Sequence, residues 1–236
     1  MEKILFFFEP DRLIFLNSFW SGFMLKFGMV LCALLLVACG SDGSNTANAD
    51  VDDDVLLDSR DGRTYKTVQI GSQVWMAENL NYKTDGSYCY EDDASNCKIY
   101  GRLYTWETAM KVCPKGFHLP SRAEFDTLFQ AVGGKKNAAT LLKSTSGWEG
   151  YDGEDGNGTD AYGFSALPAG ERSRAEKYYS LGYEAHFWNS SEDNEYLNAQ
   201  FPGVFAGDMV LLNNYPNASQ GYFYKEYAYS VRCVKD

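Results

Sequence analysis

The cysteines carry the most specific chemistry in this sequence. Leu36-Val37-Ala38-Cys39 closes an apolar run that starts at Met29 and has Lys26 ahead of it. A basic residue, a short apolar stretch and a small-residue cleavage site make a secretory signal. A cysteine directly after that site is where a thiol takes up a diacylglyceryl group before the peptide is cut. Cys39 is therefore expected to be lipidated and residues 1–38 to be a signal peptide. Its true start is expected at Met24 or Met29, because Glu9, Pro10 and Asp11 break the stretch before it. The run is too short for the roughly 20 apolar residues of a bilayer-spanning helix. Two lipid attachments at one cysteine give stable anchoring where a single chain does not. The implied location is the cell envelope, on the outer side of a membrane, at the outer membrane or cell surface.

Cys32 leaves with the signal, so Cys89, Cys97, Cys113 and Cys233 remain for the exported part. Four cysteines in an oxidising compartment suggest two disulfides, with three pairings open. Cys89 with Cys97 and Cys113 with Cys233 is the favoured pairing, the first closing the acidic loop CYEDDASNC and the second tying the end of the sequence to its middle. Chain entropy values the long bridge at roughly 5 kcal/mol and the short one at roughly 2.5 kcal/mol. Zinc is disfavoured, since no CxxC pair is present.

The loop DGEDGNGTD gathers Asp152, Glu154, Asp155, Asn157 and Asp160 among glycines. Oxygen ligands on so pliable a backbone make calcium the candidate cation, although the EF-hand register is missing and a hydrated polar turn explains the same residues. Flat amphipathic rings are frequent in the second half, and Trp148, Tyr179 and Trp188 are the candidates for stacking on a sugar or anchoring a protein. His118, between Phe117 and Leu119-Pro120, reads as a buried, hydrogen-bonded histidine. His186, near Glu184, is less constrained. Neither lies beside a marked nucleophile, and no catalytic residue is assigned.

The elements that must position these groups follow from pattern and punctuation. Removing Lys3, Arg12 and Lys26 together with Glu2, Glu9 and Asp11 leaves the net charge at −11, which makes nucleic acid an unsuitable partner. Residues 39–57 are small, polar and acidic and read as a disordered tether. Residues 58–236 read as one folded domain. YKTVQIGSQVWM has the alternation and Gly-Ser turn of a β-hairpin. GRLYTWETAMKV, 101–112, has helical spacing. SRAEFDTLFQAVGG has a capping box at Ser121 and Glu124 and a Gly-Gly stop, and a third short helix is expected over 137–143. After Gly147 come short apolar pieces in long loops. The expected fold class is α+β, with two main helices and short irregular antiparallel strands.

Six stretches resemble the Fibrobacter succinogenes major paralogous domain: DGRTYKTVQIGSQVWMAENLNY, CYEDDASNCKIYGRLYTWETAM, CPKGFHLPSRAEFDTL, LLKSTSGW, GTDAYGFSALPAG and YSVRCVKD. They run in order through nearly all of 58–236, with Phe117 where the family often has Trp. More distantly, GFHLPSRAEF and SVRCV are similar to segments of formylglycine-generating, sulfatase-modifying proteins. That likeness implies a C-type lectin-like core tied by disulfides, with its termini close together. The leading function is a non-catalytic envelope lipoprotein that meets the membrane through its lipid and binds polysaccharide or an envelope protein. An enzyme related to the formylglycine-generating oxidases and an assembly lipoprotein without a small ligand are the alternatives.

Overall fold

The computed structural model describes residues 55–192 and 199–236. The expected signal peptide, Cys39 and most of the expected tether lie outside the described residues. Three antiparallel sheets build the domain. In the first, β1 (Val55–Asp58), β2 (Arg63–Ile70) and β3 (Gln73–Met76) follow one another, and β13 (Val234–Lys235) and β6 (Phe117–His118) complete the order β1-β2-β3-β13-β6. The second runs β11 (Ser219–Tyr224), β10 (Phe205–Leu212), β9 (Glu184–Trp188). The third runs β4 (Ser87–Tyr88), β5 (Leu103–Thr105), β12 (Ala228–Tyr229), β7 (Glu171–Arg172), β8 (Tyr178–Tyr179).

The expected α+β class with two main helices is thereby corrected: strand dominates. Among the described residues the α-helices are α1 (Ala94–Tyr100), α2 (Trp106–Val112), α3 (Arg122–Ala131) and α4 (Lys135–Leu142), none longer than ten residues. Two local causes explain the difference. The 101–112 segment is split, because Leu103 and Tyr104 pair with β4 and β12 and the helix begins only at Trp106. The apolar piece at 208–212 extends back to Phe205 as an eight-residue central strand, buried over its first seven residues, so period-two alternation is absent. The C-type lectin-like architecture implied by the distant likeness falls with the class. β1 also takes in Val55, Leu56 and Leu57, assigned above to the tether.

Other expectations hold locally. β2 and β3 form the hairpin around Gly71-Ser72. α3 carries the capping box, with Ser121 Oγ accepting from Glu124 N–H and Glu124 accepting from Ser121 N–H. Asp93 caps α1, which begins inside the loop that Cys89 and Cys97 close and runs on past Cys97 to Tyr100. Both favoured disulfides are formed, with Cα separations of 5.0 Å for Cys89–Cys97 and 5.9 Å for Cys113–Cys233.

Residues 228–235 join the sheets. β12 and β13 bracket Ser230 to Cys233; Ser230 bridges to Phe187 of β9, and Leu80 N–H donates to Val231 O. Alternation along this segment sends Val231 and Cys233 into a core with Met76, Leu80, Tyr104 and Trp188. Val234 goes the other way, into a core where Trp75, Phe125, Phe164 and Phe187 pack under α3 and α4. Arg232 points to this second side and is fully buried. Its Nε donates to Asn79 Oδ1 at 2.6 Å, Nη1 to Met76 O at 3.1 Å and to Phe164 O, and Nη2 to Ser165 O at 2.8 Å. Burial pulls its pKa down to about 9, which still leaves it charged at neutral pH.

Hydrogen bonds to a charged group are worth about 1.5–3 kcal/mol each, and a buried acceptor left without its donor costs more. Arg232→Met is expected to lower unfolding free energy by on the order of 4 kcal/mol. A urea midpoint unchanged by the substitution would show that the guanidinium contributes no net stability.

Candidate functional site

The loops at one end of the second sheet are fastened to each other through backbone groups. Glu149 N–H donates to Gly182 O at 2.8 Å, Asn213 N–H to Tyr183 O at 2.9 Å, and Asn213 Nδ2 to Glu149 O at 3.0 Å. Gly182, at φ +84°, lies so close to Glu149 that a Cβ would sit 2.8 Å from its Cγ. Beneath them lies the buried ammonium of Lys143, just past α4. Its Nζ donates to Gly156 O at 2.6 Å, Asn213 O at 3.0 Å and Leu212 O at 3.2 Å, and lies 4.8 Å from the Trp148 ring centroid. Burial lowers its pKa to about 8, against an opposing pull from Asp155.

The fastened loops present rings outward. Tyr151, Tyr183 and Tyr215 are 60%, 47% and 52% exposed, and Tyr179, one tight turn before Tyr183, is 46% exposed. Trp148 and Trp188, candidates from sequence, are corrected to core residues. Trp148 indole N–H donates to Ala166 O at 3.0 Å, and Trp188 indole N–H to Tyr104 O at 2.7 Å. Each is buried in an apolar cluster, its indole N–H satisfied by a carbonyl and its ring packed rather than open to a ligand.

The calcium candidates have mostly internal work. Asp155 Oδ1 accepts from Asn157 N–H and side-chain N–H, and Asn157 Oδ1 accepts from Trp148 N–H. Asp160 accepts from Ser165 N–H and its hydroxyl. Asp152, Glu154 and Asp155 face solvent at the loop tip beside Tyr151. Bonds among its own side chains and backbone shape this turn.

The two histidines exchange the places expected of them. His118 is part-exposed; Nδ1 meets Asp236 at 2.8 Å and Nε2 meets Glu124 at 2.7 Å. His186 is the buried one, because it shares a face of β9 with Glu184 and Trp188, inward at the junction with β7 and β10. Its Nδ1 lies 2.9 Å from Asp208 Oδ2 and its Nε2 2.9 Å from Glu184 Oε2 and 3.9 Å from Glu171 Oε2. Tyr229 stacks on the imidazole at 4.6 Å and Phe223 meets it edge-on at 5.6 Å. Asp208 Oδ1 accepts from Gly221 N–H at 3.2 Å; Gly221 lies opposite it, and a Cβ there would come within 3.1 Å of that oxygen. Burial alone would lower the His186 pKa, but bonds to Asp208 and Glu184 and the charge of Glu171 raise it to about 10.

Sequence reasoning passed over Lys143, Asp208 and Arg232. Lys143 follows Leu141-Leu142 at a helix end, and Arg232 stands between Val231 and Cys233, so a charge within an apolar run was the available signal. Asp208 had none, since its role depends on a strand 22 residues away.

Residues 68–235 match the model of the Fibrobacter succinogenes major domain. No curated protein and no solved structure matches the chain significantly.

A histidine whose folded pKa is raised contributes stability that is complete below its unfolded value near 6.5 and is lost as pH rises through about 10. Lys143 acts in the opposite sense only above about pH 8. Unfolding free energy is therefore expected to fall by on the order of 1 kcal/mol between pH 6.5 and 8. The sequence has two histidines, so ring NMR can assign the cause. One imidazole should remain doubly protonated at pH 8.5, and two neutral rings at that pH would contradict the ion-pair network.

Proposed function

The chain belongs to the Fibrobacter succinogenes major domain family, and on that premise we propose a non-catalytic module of the cell envelope, held by lipid on Cys39, whose loop face binds polysaccharide. The observation that carries this reading is the set of exposed tyrosines on loops fastened by Lys143 and by the bonds of Glu149 and Asn213. Sugar rings offer apolar faces and a rim of hydroxyls. Tyrosine supplies a flat face with a polar tip at low entropic cost, and the carboxylates of Asp152 and Glu154 beside Tyr151 accept hydroxyl hydrogens. Loops fastened before a ligand arrives reduce the ordering cost of binding.

The oxidase alternative needs reactive thiols. Cys113 and Cys233 are bonded to each other, and so are Cys89 and Cys97. No helix among the described residues is long and apolar enough to cross a membrane, and the anchor assigned here is the lipid.

Two measurements test the reading. Expressed in a bacterium that processes lipoproteins, the full chain should take up a palmitate analogue and fractionate with membranes. Cys39→Ser should lose the label and become soluble, whereas membrane association unchanged by that substitution would refute the anchor. In pull-downs with insoluble cellulose, xylan and peptidoglycan, the chain should be retained by at least one polymer. The triple variant Tyr151→Ala, Tyr183→Ala, Tyr215→Ala should bind at least tenfold more weakly, at roughly 1 kcal/mol per ring. Retention equal to the parent, or none by the parent, would sink the polysaccharide reading.

A further inference from the structure

The network around His186 has a second property, independent of polysaccharide binding. We infer that Glu171, Glu184 and His186 form a binding site for one divalent transition-metal ion, with zinc the best fit, and that Asp208 is its orienting partner. The donor atoms of the three side chains all lie within 4.8 Å of one another. A tetrahedral zinc with bonds of about 2.0–2.1 Å spaces its donors roughly 3.4 Å apart. His186 Nε2 is already 2.9 Å from Glu184 and 3.9 Å from Glu171, so small side-chain rotations would place all three around an ion.

The arrangement of the fourth residue separates this cluster from an ordinary ion pair. Metal-binding histidines give their other ring N–H to a carboxylate or carbonyl, which fixes the tautomer and aims the lone pair. Asp208 does this at Nδ1, is itself held by Gly221 N–H, and leaves Nε2 facing both glutamates. His118 supplies the contrast within the same protein. Its two carboxylates take opposite ring nitrogens, so they share no point at which a cation could meet them and the ring together.

Donor chemistry selects the ion. One imidazole with two carboxylates suits zinc and its first-row neighbours, whereas calcium calls for about six to eight oxygens and magnesium for octahedral coordination that retains water. The cation takes the place of the Nε2 proton, which leaves to solvent. The Glu184 side chain is 17% exposed while those of His186 and Glu171 are 2% exposed, so entry is from the Glu184 side, next to Tyr183.

The test is titration of the chelator-treated full chain with zinc alone, followed by calorimetry and thermal melting. One equivalent should bind saturably and raise Tm. Glu184→Gln, at the part-exposed ligand, should bind at least tenfold more weakly, and Asp208→Asn should lose about 10–100-fold without removing a ligand. His118→Ala should bind like the parent. No saturable binding, binding unchanged by Glu184→Gln, or loss on His118→Ala would each overturn the site. Should Asp208→Asn fail to fold, Glu184→Gln and His118→Ala still decide the matter.

Discussion

The fold depends on a guanidinium that has no carboxylate partner. Arg232 enters a core lined by Phe164 and Phe187 and is met there by three carbonyls and the oxygen of an asparagine amide. Desolvating a charge is expensive, and dipoles compensate only when several converge with good geometry. That demand fixes two distant pieces of chain at once: the stretch from the end of β3 at Met76 to Asn79, and the turn at Phe164-Ser165. Asn79 in turn donates to Tyr100 O and Ser230 Oγ. With the Cys113–Cys233 bridge next to it, Arg232 makes residues 228–235 the member on which two sheets close. The contacts concerned are far apart in sequence, so loop-closure entropy opposes them until late in folding.

Buried charge recurs, in two forms. Lys143 and Arg232 are both cations answered mainly by neutral backbone oxygens, and both organise loops or segments rather than pair with acids. Around His186 the order is reversed, with one ring answered by carboxylates from three strands. Among the described residues, an acidic protein with a net charge of −11 thus answers two buried cations with backbone oxygens, gathers Glu171 and Asp208 around His186, and pairs the buried Asp58 with Arg60. Surface charge governs solubility and encounter; these interior groups govern which segments can be neighbours.

What was legible in the sequence was local or covalent. Ser121 and Glu124 announce their helix because both halves of the box lie within one turn, and the hairpin at Gly71-Ser72 shows because alternation and turn residue agree. Of the three cysteine pairings open in the sequence, the favoured one formed, its short member closing the acidic loop between Cys89 and Cys97. The 101–112 stretch misled because Leu103, Tyr104 and Trp106 suit a helical stripe as well as a strand followed by a helix. Which reading wins is decided by β4 and β12, the latter more than 120 residues on. The same distance hid the buried network: Glu184 and His186 alternate visibly, but Asp208 and Glu171 reach them only through sheet pairing. Aromatic content signalled a surface yet could not tell Tyr179, which stayed outside, from Trp148 and Trp188, which did not.

Lys143 holds its loops by carbonyl oxygens, those of Gly156, Leu212 and Asn213. Every residue type provides that same atom, so the clamp is indifferent to the side chains displayed above it. Tyr151 and Tyr215, on the segments next to those carbonyls, could be exchanged for other residues while the lysine went on gripping the same main chain. Different residues at those loop tips would leave the main-chain clamp as it is.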